Sequence, residues 1–143
     1  ILSDLVHRQP GSPPDAAMRQ ALASAVEQVD LGDDFRLMVD LAPVRSRGNL
    51  KNTGWVRHTV ESALWAVLTT RSFEEALVQA VNLGWDADTT GSVTGAIAGA
   101  LYGLEAIPAR WREALHGEYP LRTGRLWFQK DFIELADKLA AIN

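Results

Sequence analysis

Three neighbouring side chains offer the clearest chemistry in this chain: Asp86, Asp88 and Thr89, within Trp85-Asp86-Ala87-Asp88-Thr89-Thr90. Two carboxylates two positions apart in a tight segment can converge on one point, and the adjoining hydroxyl adds a third oxygen. Hard divalent cations such as Mg²⁺ are held by oxygens of this kind and keep several waters. The carboxylates also gain from the positive end of the helix that follows. A plainer role competes. Asp and Thr are preferred at helix starts, and on the short motif alone Asp88 or Thr89 acting as a helix cap is the commoner explanation.

The helix after Asp88 has to carry these groups, and its composition is unusual. Gly91, Gly95, Gly99 and Gly103 recur every fourth residue, with Ala96 and Ala100 one position on. Each glycine inside a helix costs about 0.5–1 kcal/mol relative to alanine, so the stripe predicts another helix packed closely over it and a buried, central position. Neither G-x-x-x-x-G-K-S/T nor G-x-G-x-x-G is present, so a phosphate-cradling loop is not indicated. The longest apolar tract, Val93 to Leu104, falls short of the roughly 20 residues a membrane-spanning helix needs.

Helical spacing dominates elsewhere. Ser12 and Asp15 around Pro13-Pro14 read as a capping box opening a helix through Ala17, Leu22 and Val26, with a stop near Leu31-Gly32. A short helix over Asp34 to Leu41 ends at Pro43. Residues 44–54 read as a loop carrying Arg45, Arg47 and Lys51. From Val56, the positions Val60, Ala63, Leu64, Val67 and Leu68 keep helical spacing. Ser72 and Glu75 form a second capping box, opening a helix through Ala76, Leu77, Ala80 and Val81 that breaks at Asn82-Leu83-Gly84-Trp85. Pro108 suits the first turn of a helix through Trp111 and Leu115, and a last amphipathic helix is predicted from about Leu126 to Ala141. No period-two alternation indicates a strand, so the fold class is all-α.

Composition sets outer bounds. The 143 residues are 47% hydrophobic and 22% charged, the profile of an ordinary soluble domain. With 14 Lys+Arg against 18 Asp+Glu and a net charge of −4, no basic surface for nucleic acid is indicated. There is no cysteine, which excludes disulfides, thiolate metal sites and cysteine nucleophiles. Any metal is therefore held by oxygen or by His7, His58 and His116. The lack of cysteine is compatible with the cytoplasm, the expected location. The opening Ile1-Leu2-Ser3-Asp4-Leu5 has neither an initiator Met nor the pattern of a signal peptide.

Several segments in order resemble the carboxy-terminal half of the ADP-ribosylglycohydrolase family. They are Gly54-Trp55-Val56-Arg57-His58-Thr59-Val60-Glu61-Ser62-Ala63-Leu64-Trp65, Ser72-Phe73-Glu74-Glu75-Ala76, Ala80 through Gly91, Gly95 onward to Tyr102-Gly103, and Ile107-Pro108 with Trp111. The resemblance covers residues 54–115; residues 1–53 and 117–143 match only in being helical. It implies an all-α, orthogonal multi-helix bundle of which residues 1–143 are the carboxy-terminal part, the amino-terminal part being absent. It also implies two divalent metal ions, Mg²⁺ or Mn²⁺, held by a D-x-D-T/S motif near the carboxy terminus and an S/T-D-D-T motif near the amino terminus. Asp86, Asp88 and Thr89 match the first motif and would be metal ligands. Gly54 and Trp55 match a Gly-aromatic segment beside the bound ADP-ribose, where Trp55 would stack on or wall the ligand.

Two features depart from the family pattern. Trp85 stands where the family usually has Gly or another small or polar residue, so it would narrow the cleft, add a stacking surface or block the substrate. No S/T-D-D-T occurs; the pair Asp33-Asp34 follows Gly32 and precedes Phe35. The rest of the metal site is therefore expected from an amino-terminal half of the same protein, and this chain alone is expected to be inactive. The implied reaction is hydrolysis at the ribose anomeric carbon of an ADP-ribosylated protein or ADP-ribose-containing small molecule, through an oxocarbenium-like transition state. Asp86, Asp88 and Thr89 would act through the metal. Arg45, Arg47 and Lys51 are candidates for the pyrophosphate, while Glu61 is expected to be structural and His58 structural or exposed instead of a ligand. The alternative is a relative that binds ADP-ribose without turnover, or one that keeps the fold for a structural role.

Overall fold

A computed structural model of the chain describes residues 1–7, 12–28 and 32–142. Eight α-helices form among them: α1 (Leu2–Val6), α2 (Pro14–Gln28), α3 (Asp33–Leu41), α4 (Val56–Leu68), α5 (Phe73–Val81), α6 (Ala87–Tyr102), α7 (Ala109–Ala114) and α8 (Gln129–Ala140). The expected all-α class holds, with one addition. Two three-residue strands, β1 (His116–Glu118) and β2 (Leu126–Phe128), pair antiparallel with Gly117 opposite Trp127. Strands this short leave no alternation to read, and the apolar Leu126-Trp127-Phe128, expected to open the final helix, forms β2 instead, the helix beginning at Gln129.

The chain divides into two compact units, residues 1–106 and 107–143. In the second, Trp127 packs edge-on against Tyr119 at 5.0 Å and Phe132 at 5.4 Å, so an aromatic cluster ties the hairpin to α8. In the first, the glycine-stepped α6 is central, packed against α5, α4, α1 and α2. Its buried residues Thr90, Thr94, Ile97, Ala98 and Leu101 follow helical spacing along one stripe. α4 is buried over nearly its whole length, from Thr59 through Val67, Val60 excepted.

The helix laid over the glycine row is α5. A methyl built on Gly91 would meet Val81 at 3.2 Å, on Gly95 Leu77 at 3.8 Å, and on Gly99 Phe73 at 3.9 Å. Both helices thus present every fourth residue to the other, in antiparallel sense. Only Gly91 is crowded; Gly95 and Gly99 leave room for a methyl in ordinary van der Waals contact. Gly103 does a different job, ending α6 at φ +84°, a backbone that side chains disfavour.

Local starts follow the sequence with small shifts. Ser72 caps α5, its hydroxyl accepting from the Glu75 N–H at 3.2 Å, while the Glu75 carboxylate turns back to the Arg71 N–H at 3.0 Å. α2 begins at Pro14, one residue later than expected, because the residue before a proline is pushed out of the helical region. Its predicted stop near Leu31 lies outside the described residues. The segment between α3 and α4 contains two 3₁₀ turns, Ala42–Val44 and Arg47–Asn49. Among the described residues no helix is long and apolar enough to cross a membrane.

Two outcomes follow from this packing. Gly95→Ala is expected to stabilise the unit by about 0.5–1 kcal/mol, whereas Gly95→Leu should lower the melting temperature by forcing α5 away; thermal unfolding monitored by circular dichroism distinguishes them. The Tyr102 phenol is held above its ordinary value of 10.0, by burial first and then by the Asp15 and Glu75 carboxylates. The unfolded chain therefore loses this proton before the folded one does. Stability should fall as pH rises through 10 and on toward the raised value, and Tyr102→Phe should flatten that alkaline limb in denaturant titrations.

Candidate metal and ligand site

The site is assembled where the segment preceding α4 meets the turn before α6. Asp86 is the residue flanking the start of α6, and its carboxylate caps no backbone N–H of the helix. Its Oδ1 instead accepts from the Thr89 hydroxyl at 2.8 Å. Asp88 and Thr89 lie inside the first turn, so neither is the cap, and both are exposed. The plain capping role is thus not what these side chains do.

Gly54 stands directly beside this carboxylate. A Cβ built on it would lie 3.6 Å from Asp86 Oδ2, so the missing side chain leaves that oxygen open. Trp55 follows, 54% exposed. The His58 ring packs edge-on against it at 4.7 Å and the Arg57 guanidinium lies 5.8 Å from its centroid. His58 is further tied by Nδ1 to the Thr53 hydroxyl at 2.8 Å, a structural role as expected.

Trp85 has φ +53° and is 92% exposed. A bulky residue in the left-handed region is strained, which gives a backbone reason why glycine suits this place. With Arg47, Lys51, Asn52 and Thr53 among others, Trp85 lines a cleft of about 540 Å³.

The three basic residues of the loop part ways. Arg45 Nε donates to the buried Glu61 carboxylate at 2.9 Å, and the Arg45 carbonyl accepts from the Trp65 indole at 3.0 Å. Arg45 therefore pins the loop to α4, and Glu61 is structural. Arg47 donates to the Asn82 carbonyl at 2.5 Å while lining the cleft. Lys51 lines it too.

One residue at the centre of the site carried no signal in the sequence. Asn52, read only as part of a polar loop, is 5% exposed and bonded to both Gly84 and Thr90. A lone Asn among Lys51, Thr53 and Gly54 has no spacing that betrays such a position.

The donor set is oxygen only: two carboxylates and one hydroxyl. That chemistry suits Mg²⁺ or Mn²⁺ and is too sparse for a complete dinuclear centre. Among the described residues no group of three or more His, Cys, Asp or Glu gathers at one point. The residues fit one side of a hard-cation site.

An all-α unit presenting a D-x-D-T turn at the mouth of a glycine-stepped helix, with a Gly-Trp segment against the first aspartate, defines a narrow class. The chain belongs to the ADP-ribosylglycohydrolase family, whose model matches residues 1–143. The match thus reaches past residues 54–115 into both flanks. Among known proteins, the chain is similar to ADP-ribosylarginine hydrolase Tri1 of Serratia proteamaculans, 45% identical over 71 residues. It is also similar to Tri1 of Pseudomonas putida, 42% over 69 residues, and to the ADP-ribosyl-[dinitrogen reductase] glycohydrolase of Rhodospirillum rubrum, 38% over 65 residues. These matches take in 50%, 48% and 46% of this chain but only 19%, 19% and 22% of the relatives' own lengths. No solved structure matches the chain significantly.

The pairing of Arg45 with Glu61 gives a direct check. Arg45→Ala leaves a side chain that is 11% exposed without its cation, and should cost about 1–3 kcal/mol in urea unfolding, toward the lower end because the guanidinium is 39% exposed. Unchanged stability would return Arg45 to the pool of free ligand-binding cations.

Proposed function

We propose that the complete protein hydrolyses the ribosyl linkage of an ADP-ribosylated protein or an ADP-ribose-containing small molecule, releasing ADP-ribose, with two divalent ions, Mg²⁺ or Mn²⁺, in its site. The observation that supports this most is the state of Asp86: a carboxylate at a helix start that caps nothing, is steadied by Thr89, and is left uncovered by Gly54. Family membership supplies the reaction class, and the two Tri1 relatives, named ADP-ribosylarginine hydrolases, make ADP-ribosylated arginine the first substrate to test.

In this reading Asp86, Asp88 and Thr89 hold the metal. Once bound, the metal supplies charge stabilisation and orientation of ribose oxygens and water as oxocarbenium character develops. Thr89 holds Asp86 Oδ1 in place, so the carboxylate needs little reorganisation when a cation enters. Gly54 keeps the approach to Oδ2 clear. Trp55 offers a braced aromatic wall for the ligand, Trp85 a second indole at the cleft, and Arg47 and Lys51 provide positive charge suited to a pyrophosphate. The remaining metal ligands belong, in this proposal, to an amino-terminal part of the same domain, of which residues 1–143 form the carboxy-terminal part. The cytoplasm is the compartment that goes with it.

The exposed Trp85 beside Asp86 favours one competing reading, a relative that binds ADP-ribose without turning it over. Both are separated by one set of assays on the native full-length polypeptide. Release of ADP-ribose from an ADP-ribosylated arginine peptide should require Mg²⁺ or Mn²⁺. Asp86→Asn and Asp88→Asn should each lower it by more than the about 10–100-fold typical of losing an outer hydrogen-bond partner of a metal site. Calorimetric binding of ADP-ribose with no release of product would establish the binding-only reading. Turnover indifferent to metal and to both substitutions would rule the proposal out.

A further inference from the structure

The turn that carries Asp86 contains a conformation that needs to be held. Trp85 adopts φ +53°, which non-glycine residues keep only where their surroundings over-determine the backbone. Its own side chain is 92% exposed, so packing of the indole does not hold it. Gly84 N–H donates to the Val81 carbonyl and the Asp86 carbonyl accepts from the Thr90 N–H, each at 3.1 Å, but one residue reaches both neighbours of Trp85. Asn52 Nδ2 donates to the Gly84 carbonyl at 2.5 Å, and the Asn52 carbonyl accepts from the Asp86 N–H at 3.4 Å. On its other side Asn52 Oδ1 accepts from the Thr90 hydroxyl. The amide can face only one way here, because a carbonyl oxygen accepts and cannot donate. Thr90 is fully buried in the first turn of α6, and its carbonyl accepts from Thr94 at 2.7 Å.

We infer that Asn52 is the positioning residue of this site, clamping both flanks of the left-handed Trp85 and locking the turn to α6 so that the Asp86 carboxylate is held ready for its cation. The inference rests on the reading of Asp86 as a metal ligand. Asn52 itself touches neither ligand nor reacting atoms; it acts through the backbone on either side of Trp85. Its burial at 5% in an otherwise exposed stretch is what such a clamp requires, since a bond competing with water would hold a strained turn poorly.

A merely structural Asn52 and a positioning one differ in where the damage appears. The test compares Asn52→Ala, Thr90→Val and, as a control of similar structural cost, Ser72→Ala, which removes the α5 cap. In the metal-free native full-length protein, amide hydrogen exchange over residues 84–90 should quicken about ten-fold or more in Asn52→Ala, less in Thr90→Val, and not at all in Ser72→Ala. Calorimetric Mn²⁺ affinity should fall about 10–100-fold in Asn52→Ala and stay unchanged in Ser72→Ala. Trp85→Gly placed on Asn52→Ala should recover part of both losses, because glycine takes positive φ without restraint.

Exchange over residues 84–90 that matches wild type in Asn52→Ala, or that quickens equally across α4, α5 and α6, would overturn the inference. So would a failure of Trp85→Gly to recover anything. Wild-type protein that binds no Mn²⁺ would instead overturn the metal reading of Asp86, while the metal-free exchange experiment still decides whether Asn52 holds the turn.

Discussion

The meeting of α6 with α5 sets where everything else can be. Gly91, Gly95 and Gly99 step along one helix as Val81, Leu77 and Phe73 step back along the other, a register that is tightest at Gly91. Close-packed surfaces of this kind have discrete registers rather than a continuum. Once α6 is fixed in register, its amino-terminal turn is fixed too, and with it Asp86, Asp88 and Thr89. The site is therefore placed by helix packing first and by hydrogen bonds second. Those bonds include Thr89 to Asp86, and Asn52 to Thr90 and to the backbone around Trp85.

The loop before α4 completes the site because it is tied down at both ends. Arg45 is bonded to Glu61 and Trp65 of α4 at one end, and Asn52 reaches the turn before α6 at the other. Between them Arg47 and Lys51 line the cleft. Trp85, the residue before Asp86, lines the same cleft, so the loop and the turn that carries the first aspartate share one concavity. A buried ion pair such as Arg45–Glu61 is weak evidence of stability by itself, but here it has a positional consequence. It converts a segment that would otherwise be a solvated loop into a wall of the site.

Much of this was legible in the residues. The Ser72-x-x-Glu75 start of α5, the glycine row of α6 and the D-x-D-T turn each have a fixed spacing tied to a physical cause, and the structure forms all three elements. The spacing overstates the glycine row in one respect: Gly103 serves a helix end and only Gly91 is crowded, because spacing alone does not say how far α5 stands off. What escaped were features made by contacts distant in sequence. Asn52 meets Gly84 and Thr90 across more than thirty positions, and Arg45 meets Glu61 across sixteen. The β1–β2 pair escaped for the opposite reason, since three residues a side are too few to show a period.

All of the proposed chemistry requires the Asp86–Asp88–Thr89 turn to grip a divalent cation. It is tested most directly by diffraction from crystals of the native full-length protein soaked in Mn²⁺, with data collected to bring out the anomalous signal of the metal. An anomalous peak is expected within coordination distance, about 2.0–2.3 Å, of a carboxylate oxygen from both Asp86 and Asp88, with the Thr89 hydroxyl alongside. A map in which manganese settles elsewhere in the domain and leaves these oxygens bonded only to water and protein would contradict it.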